Sequence, residues 1–186
     1  MNNIDLTNHL LIAMPGLKDI NFRHTVTYIC EHDKQGAMGI IINRPSGLRL
    51  GDILDQLDIS ADNAQHRDQI IYTGGPVQSE RGFVLHTGDS EWDSTLSVSA
   101  TTSITTSRDI LEATAQGKGP EKCLIALGYA GWAGGQLEEE LISNSWLSGP
   151  VEERIIFDLP NEERWQAAAL TLGIDINLLP NDAGHA

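Results

Sequence analysis

TVTYICEHDKQGAMGIIIN, residues 25–43, is the stretch on which the architecture turns. Val26, Tyr28 and Cys30 alternate with Thr25, Thr27 and Ile29, a β-branched and aromatic composition that suits a pleated, mostly buried strand over 25–32. DKQG at 33–36 supplies turn residues, and AMGIIIN at 37–43 reads as the returning strand. Two strands joined by so short a turn run antiparallel, so the sheet is antiparallel here.

Working outward, HLLIA at 9–13 is a first strand closed by Met14-Pro15-Gly16. On the other side, residues 43–47 break the returning strand, and apolar Leu50, Ile53, Leu54 and Leu57 predict a short amphipathic helix. IIY at 70–72 is a strand stopped by TGGP at 73–76, GFVLH at 82–86 resumes extended structure, and 96–102 adds a β-branched segment. Thr106 or Ser107 caps a helix over 108–116 that Gly117 terminates. KCLIAL at 122–127 suggests a central strand buried on both faces, though periodicity alone does not separate that from a buried helix; RIIFDL at 154–159 reads as a last strand, and Asn161 caps a helix reaching 172 before Gly173. Strands and helices in this order predict a single α+β domain over 1–186, with a flexible tail at 180–186.

GYAGWAGGQLEEELISNSWL, residues 128–147, follows the predicted central strand and tests for a phosphate loop. Glycines at 128, 131, 134 and 135 give GxxGxxGG, not GxGxxG, and no GxxxxGK[ST] occurs. Glu138, Glu139 and Glu140 lie in the first turns of the following helix, where they already oppose its positive end and repel phosphate. The stretch therefore reads as a tight glycine passage from strand to helix with Trp132 packed over it, and the three glutamates read as a solvated face.

The composition narrows the partners. With 26 acidic and 12 basic residues the formal charge is −14, which disfavours direct binding to nucleic acid, reads first as a solvated acidic surface, and leaves a basic protein surface as the alternative. Cys30 and Cys123 form no metal-binding spacing, and six histidines include no HxH or HExxH pair, so no metal or cofactor is expected. There is no GxSxG, and His86 and Ser79 lack a third orienting group, so no catalytic residue is assigned. A short apolar run stopped by Pro15, with no basic residue before it, does not suit a signal peptide, and the uncharged run 123–137 is too short to span a membrane. A cytoplasmic location with no membrane association is expected. Asn43, Arg44, Arg81 and His86 place polar groups beside strand ends, where clefts form, and join Trp132, Gln136 and Glu138 as candidate contacts to a ligand or partner.

Several blocks taken in order point to a family. LLIAMP at 10–15, Phe22, EHDKQGAMGIIINRP at 31–45, GGPV at 74–77, RGFVLH at 81–86, GYAGWAGGQLEEEL at 128–141 and Trp146-Leu147 together resemble the AlgH/YqgE family of small bacterial proteins. The resemblance implies a cytoplasmic α+β domain with an intertwined, mostly antiparallel, partly barrel-like sheet flanked by a few helices. Some members are labelled transcriptional regulators. With no DNA-binding element and a strongly negative charge, such regulation implies a protein partner. The expected function is thus a non-enzymatic regulatory or adaptor domain. The alternative is a small-molecule-binding protein or cryptic enzyme with a pocket near Asn43, Arg44, Arg81, His86 and Trp132. The sequence does not fix the oligomeric state.

Overall fold

A computed structural model describes residues 4–88 and 92–181; the end of the expected flexible tail, 182–186, lies outside the described residues. Among the described residues ten strands form one curled sheet: β1 (His9–Ala13), β2 (Val26–Asp33), β3 (Gly36–Ile41), β4 (Pro45–Arg49), β5 (Ile70–Thr73), β6 (Val77–Thr87), β7 (Thr95–Ser97), β8 (Thr102–Thr105), β9 (Cys123–Ala133) and β10 (Trp146–Pro150). Five α-helices accompany them among the described residues: α1 (Leu50–Gln56), α2 (Arg108–Ala115), α3 (Gln136–Ile142), α4 (Glu153–Phe157) and α5 (Asn161–Leu170). The strand order is β10-β1-β2-β3-β9-β6-β8-β7, with β4 and β5 attached beside β9. All pairings are antiparallel except β5 with β9. The domain is α+β, its sheet curled into a half-barrel.

The β2–β3 hairpin forms as expected, with Tyr28 opposite Ile40. Alternation then sorts side chains to two faces. Tyr28, Phe83, Leu85, Ile104 and Leu124 point inward and are capped by Ile155 and Ile156 of α4 and Ala168 and Ala169 of α5. The outer face carries two clusters: Leu11, Ile29, Ala130, Trp132 and Trp146 against Leu137 of α3, and Ile71, Val84 and Ile125 against Leu50, Leu54 and Ile110 of α1 and α2.

β9 is the hub, and its length corrects the expected passage. The strand does not end at Leu127 but runs eleven residues, through Gly128 and Gly131, and the turn into α3 comes at Gly134 and Gly135. Gly128 is a bulge with φ +76°, and it switches the alternation. Before it Leu124 and Ala126 face inward; after it Tyr129 faces inward, while Ala130 and Trp132 face outward. A uniform strand would have put Trp132 on the same face as Leu124. The glycine also makes room: a Cβ there would lie 2.4 Å from the Gly75 carbonyl oxygen.

Three further differences have local causes. RIIFDL forms helix α4 rather than a last strand, because Ile155 and Ile156 both bury against the inner core from one short helical turn. The last strand is instead β10, which pairs with β1 as Trp146 joins the outer cluster. Residues 96–102 are not one strand: β7 stops at Ser97, the chain turns through a Ser99–Thr102 hydrogen bond, and β8 begins. The expected break at 43–47 holds only as far as Arg44, since Pro45–Arg49 pairs with β5.

Candidate functional site

An open groove of about 1100 Å³ lies at one end of the half-barrel. The β2–β3 hairpin forms one wall, the start of β6 and strand β7 the other, and Phe83, Ile104 and Tyr129 line its floor. The β6 wall stands proud of the sheet. Val77 pairs with Tyr129 and Gly82 with Leu127, so residues 78–81 bulge outward opposite Gly128 alone, with Gln78 at φ 47°. Arg81 closes this ridge by donating to Gln78 Oε1 at 3.2 Å, and its guanidinium lies 5.3 Å over the Phe83 ring, which meets Tyr129 edge-on at 5.6 Å.

Trp132 shares the groove with Arg81 and is 6% exposed. Its indole donates to Glu140 Oε2 at 2.9 Å, and Trp146 donates to the same oxygen at 2.8 Å. Phe22 completes the aromatic cluster at 6.0 Å from Trp132 and 5.5 Å from Trp146. Gln136 bridges behind it, accepting from the Ala133 amide at 3.0 Å and donating to Glu140 Oε1 at 2.9 Å. The helical acids are therefore not one solvated face. Glu139 is exposed, Glu140 holds two tryptophans, and Glu138 bonds His32 Nε2 at 2.7 Å. His32 Nδ1 accepts from the Leu6 amide at 3.0 Å, so Nε2 carries the proton and donates to Glu138. Replacing Glu140 by Ala, which strands two indole donors, is expected to cost about 2 kcal/mol in urea unfolding. Glu140→Gln, which keeps an acceptor, recovers most of that loss; equal loss in both variants contradicts the shared-acceptor role.

Asn43 and Arg44 stand elsewhere. Asn43 accepts from the Val26 amide and donates to the His24 carbonyl, both at 2.9 Å. Arg44 donates to the carbonyls of Ile20 at 3.1 Å, Asn21, and Arg23 at 3.0 Å, pinning the loop before β2. Burial and nearby Arg23 hold the Arg44 pKa below its usual value. His24, at the end of that loop, stacks on Trp165 at 4.3 Å.

His86 is fully buried between β6 and β8. Its Nδ1 lies 3.1 Å from the Thr87 carbonyl and therefore carries the proton, so Nε2 accepts from the Thr105 hydroxyl at 2.7 Å. Trp92 packs edge-on at 5.1 Å. Burial lowers the His86 pKa from its ordinary 6.5, the Thr87 bond opposing that shift. With a folded pKa below the unfolded one, the stabilising contribution is complete above 6.5 and is lost as pH falls below it. Urea titrations from neutral pH to 5 are expected to show a steeper loss of stability in the wild type than in His86→Asn; parallel slopes contradict it.

The groove thus gathers Arg81 and Trp132. Gln136 and Glu138 brace it from behind, while Asn43, Arg44 and His86 serve other parts of the fold, so the five residues expected to share a pocket do not converge. Sequence reasoning missed His32, Tyr129 and Leu96. The EHD triplet at the end of β2 was a usable signal, since it puts ionisable groups at a hairpin tip. Cys30 and Cys123 are free, and burial pushes both thiols above the ordinary range. Among the described residues no His, Cys, Asp and Glu cluster has metal-binding geometry, and no helix is long and apolar enough to cross a membrane.

A curled half-barrel sheet with helices on both faces and an open end groove defines a single-domain α+β protein of barrel-like type. The chain belongs to the AlgH-like family, whose model matches residues 10–177. It is 54% identical to a UPF0301 protein of Thioalkalivibrio sulfidiphilus over 98% of this chain and 97% of that one. It is also 54% identical to a UPF0301 protein of Thiobacillus denitrificans over the whole of both. The solution structure of the AlgH protein from Pseudomonas aeruginosa superposes with a TM-score of 0.80 at 53% identity, covering 100% of this chain and 98% of that one. A crystal structure of protein DIP2367 from Corynebacterium diphtheriae, 16% identical, shares the fold with a TM-score of 0.70 over 92% of this chain and 93% of that one.

Proposed function

We propose that this domain is a non-enzymatic, cytoplasmic adaptor that engages a protein partner through the end groove, and that any effect on transcription is indirect. The observation that carries the reading is the character of the groove. It is open and about 1100 Å³ in extent, with an aromatic floor and with His32 and Arg81 already committed: both ring nitrogens of His32 are bonded within the fold, and Arg81 is held by Gln78 and Phe83. Such a surface offers contact area and orientation rather than a poised acid, base or nucleophile. The charge of −14 favours a basic partner surface and disfavours DNA. The test is affinity capture from lysate at low and moderate salt with wild type and Tyr129→Ala. One protein recovered by the wild type and lost with the variant supports the reading. Recovery of no specific protein, or recovery indifferent to the groove, removes it.

A second cleft, of about 630 Å³, favours the small-molecule alternative at a different place. Val84, Leu111 and Ile125 form its apolar floor, and Glu80 and Arg108 stand at its rim. A metabolite screen by thermal shift whose hits vanish in Leu111→Trp supports that reading; hits insensitive to the filling substitution remove it.

A further inference from the structure

β7 is the last strand on its side of the sheet and pairs only with β8 among the described residues. The hydrogen-bond parity of that pair shows which groups its outer edge presents. Leu96 stands opposite Ile104, Val98 N donates to the Thr102 carbonyl, and Thr106 N donates to the Ser94 carbonyl, each bond 3.0 Å long. Ser94, Leu96 and Val98 are thus the positions whose backbone groups face β8, and the N–H and C=O of Thr95 and Ser97 point the other way. Residues 94–97 all line the groove. The outward edge is therefore a short row of two donors and two acceptors beside an apolar floor, as strand addition requires.

Side-chain placement restricts what can add there. Leu96 lies on the same face as Ile104, at the floor of the groove, and is 42% exposed. Across the groove, Glu31 and Asp33 are exposed on the hairpin wall. Asp33 caps its own turn through the Gln35 amide, while Glu31 has no ion-pair partner among the described residues. Arg81, the lining cation, is set on the other wall over Phe83.

We infer that the groove takes an extended segment of a partner protein as a strand added to the edge of β7, an apolar side chain resting beside Leu96 and a Lys or Arg facing Glu31 and Asp33. The inference rests on the adaptor reading and names the chemistry of its ligand. Backbone bonds to Thr95 and Ser97 supply register, the floor takes alternate side chains, and the acidic wall selects the cation.

The test uses peptides of about ten residues that alternate valine and threonine and carry two lysines, with a glutamate version and a lysine version N-methylated at alternate backbone nitrogens. Amide exchange of the full chain is followed by NMR. The lysine peptide is expected to slow exchange at Thr95 and Ser97 about tenfold or more, the N-methylated peptide to leave it unchanged, and Glu31→Lys to shift preference to the glutamate peptide. Equal binding of the methylated peptide, or no slowing at Thr95 and Ser97, overturns the inference. So does a dimer of the free protein that already protects these amides, which assigns the edge to a second copy. Partner capture that persists in Leu96→Lys and Ser97→Pro, with melting temperatures unchanged, but is lost in Tyr129→Ala removes strand addition yet leaves the adaptor reading intact. Failure of the wild type to capture any protein removes the adaptor reading, and the peptide result still decides the edge.

Discussion

Gly128→Ala is expected to lower the unfolding free energy by about 4 kcal/mol, while Gly131→Ala, three residues along the same strand, stays within about 1 kcal/mol. Two effects add at Gly128. The backbone sits at φ +76°, which costs an L side chain about 1–3 kcal/mol. A methyl would also press into backbone rather than into a yielding side chain, 2.4 Å from the Gly75 carbonyl oxygen and 3.1 Å from that of Val77, for about 1–3 kcal/mol more. At Gly131 the nearest neighbour of an added Cβ is a ring carbon of Tyr129 at 3.4 Å, an ordinary contact. Urea unfolding of the two variants decides the matter. Similar midpoints for both would mean that the bulge is not what lets the turn before β6 pass β9. A loss of aromatic near-ultraviolet signal is also expected in Gly128→Ala, because the bulge sets the face on which Trp132 stands.

Arg164→Ala is expected to cost about 4 kcal/mol, with Arg164→Met recovering no more than the packing share. Arg164 is 4% exposed and has no carboxylate partner among the described residues. Its Nε donates to the Leu159 carbonyl at 3.0 Å and its Nη1 to the Ile42 carbonyl at 2.5 Å, while the guanidinium lies 5.2 Å over the Tyr72 ring. Burial lowers its pKa, yet an arginine stays protonated. The residue ties α5 to the chain just after β3, and truncation leaves the Ile42 carbonyl without its donor, about 1–3 kcal/mol, on top of the lost stem packing. If Met restores wild-type stability in urea, packing alone holds this corner and the carbonyl bonds are dispensable.

The hairpin at 25–43 was legible because its alternation, turn residues and length all agree, so local and tertiary preferences coincide there. Helix α2 was legible for the same reason, with Ser107 before it and Gly117, at φ +71°, after it. RIIFDL was not, since three apolar residues in a row, Ile155 to Phe157, satisfy a strand and a short helix equally, and only the position of the inner core chooses between them. The candidate site was legible in part. Glycines and tryptophans marked the Trp132 region, whereas Arg81, expected beside a strand end, lies within β6, and nothing local says that Arg81 and Trp132 share a groove while Arg44 bonds a loop as far upstream as Ile20. Those meetings span 51 and 24 positions and depend on sheet order.

What the sequence by itself determined is the inventory. It specifies a family, an antiparallel hairpin, helices with recognisable ends, a chain of charge −14, and a glycine stretch unsuited to phosphate. Tertiary structure alone decided where these parts meet. β9 runs on through its glycines because β3 and β6 supply hydrogen bonds that outweigh glycine's weak preference for strand, and the bulge at Gly128 turns Trp132 to the outer face. Glutamates that looked solvated became acceptors for two indoles and an imidazole, because their neighbours come from strands remote in sequence. Alternation and propensity act over a few residues, whereas strand order, register shifts and the groove arise from pairings across the whole chain. Those long-range pairings are where the physical information about the site resides.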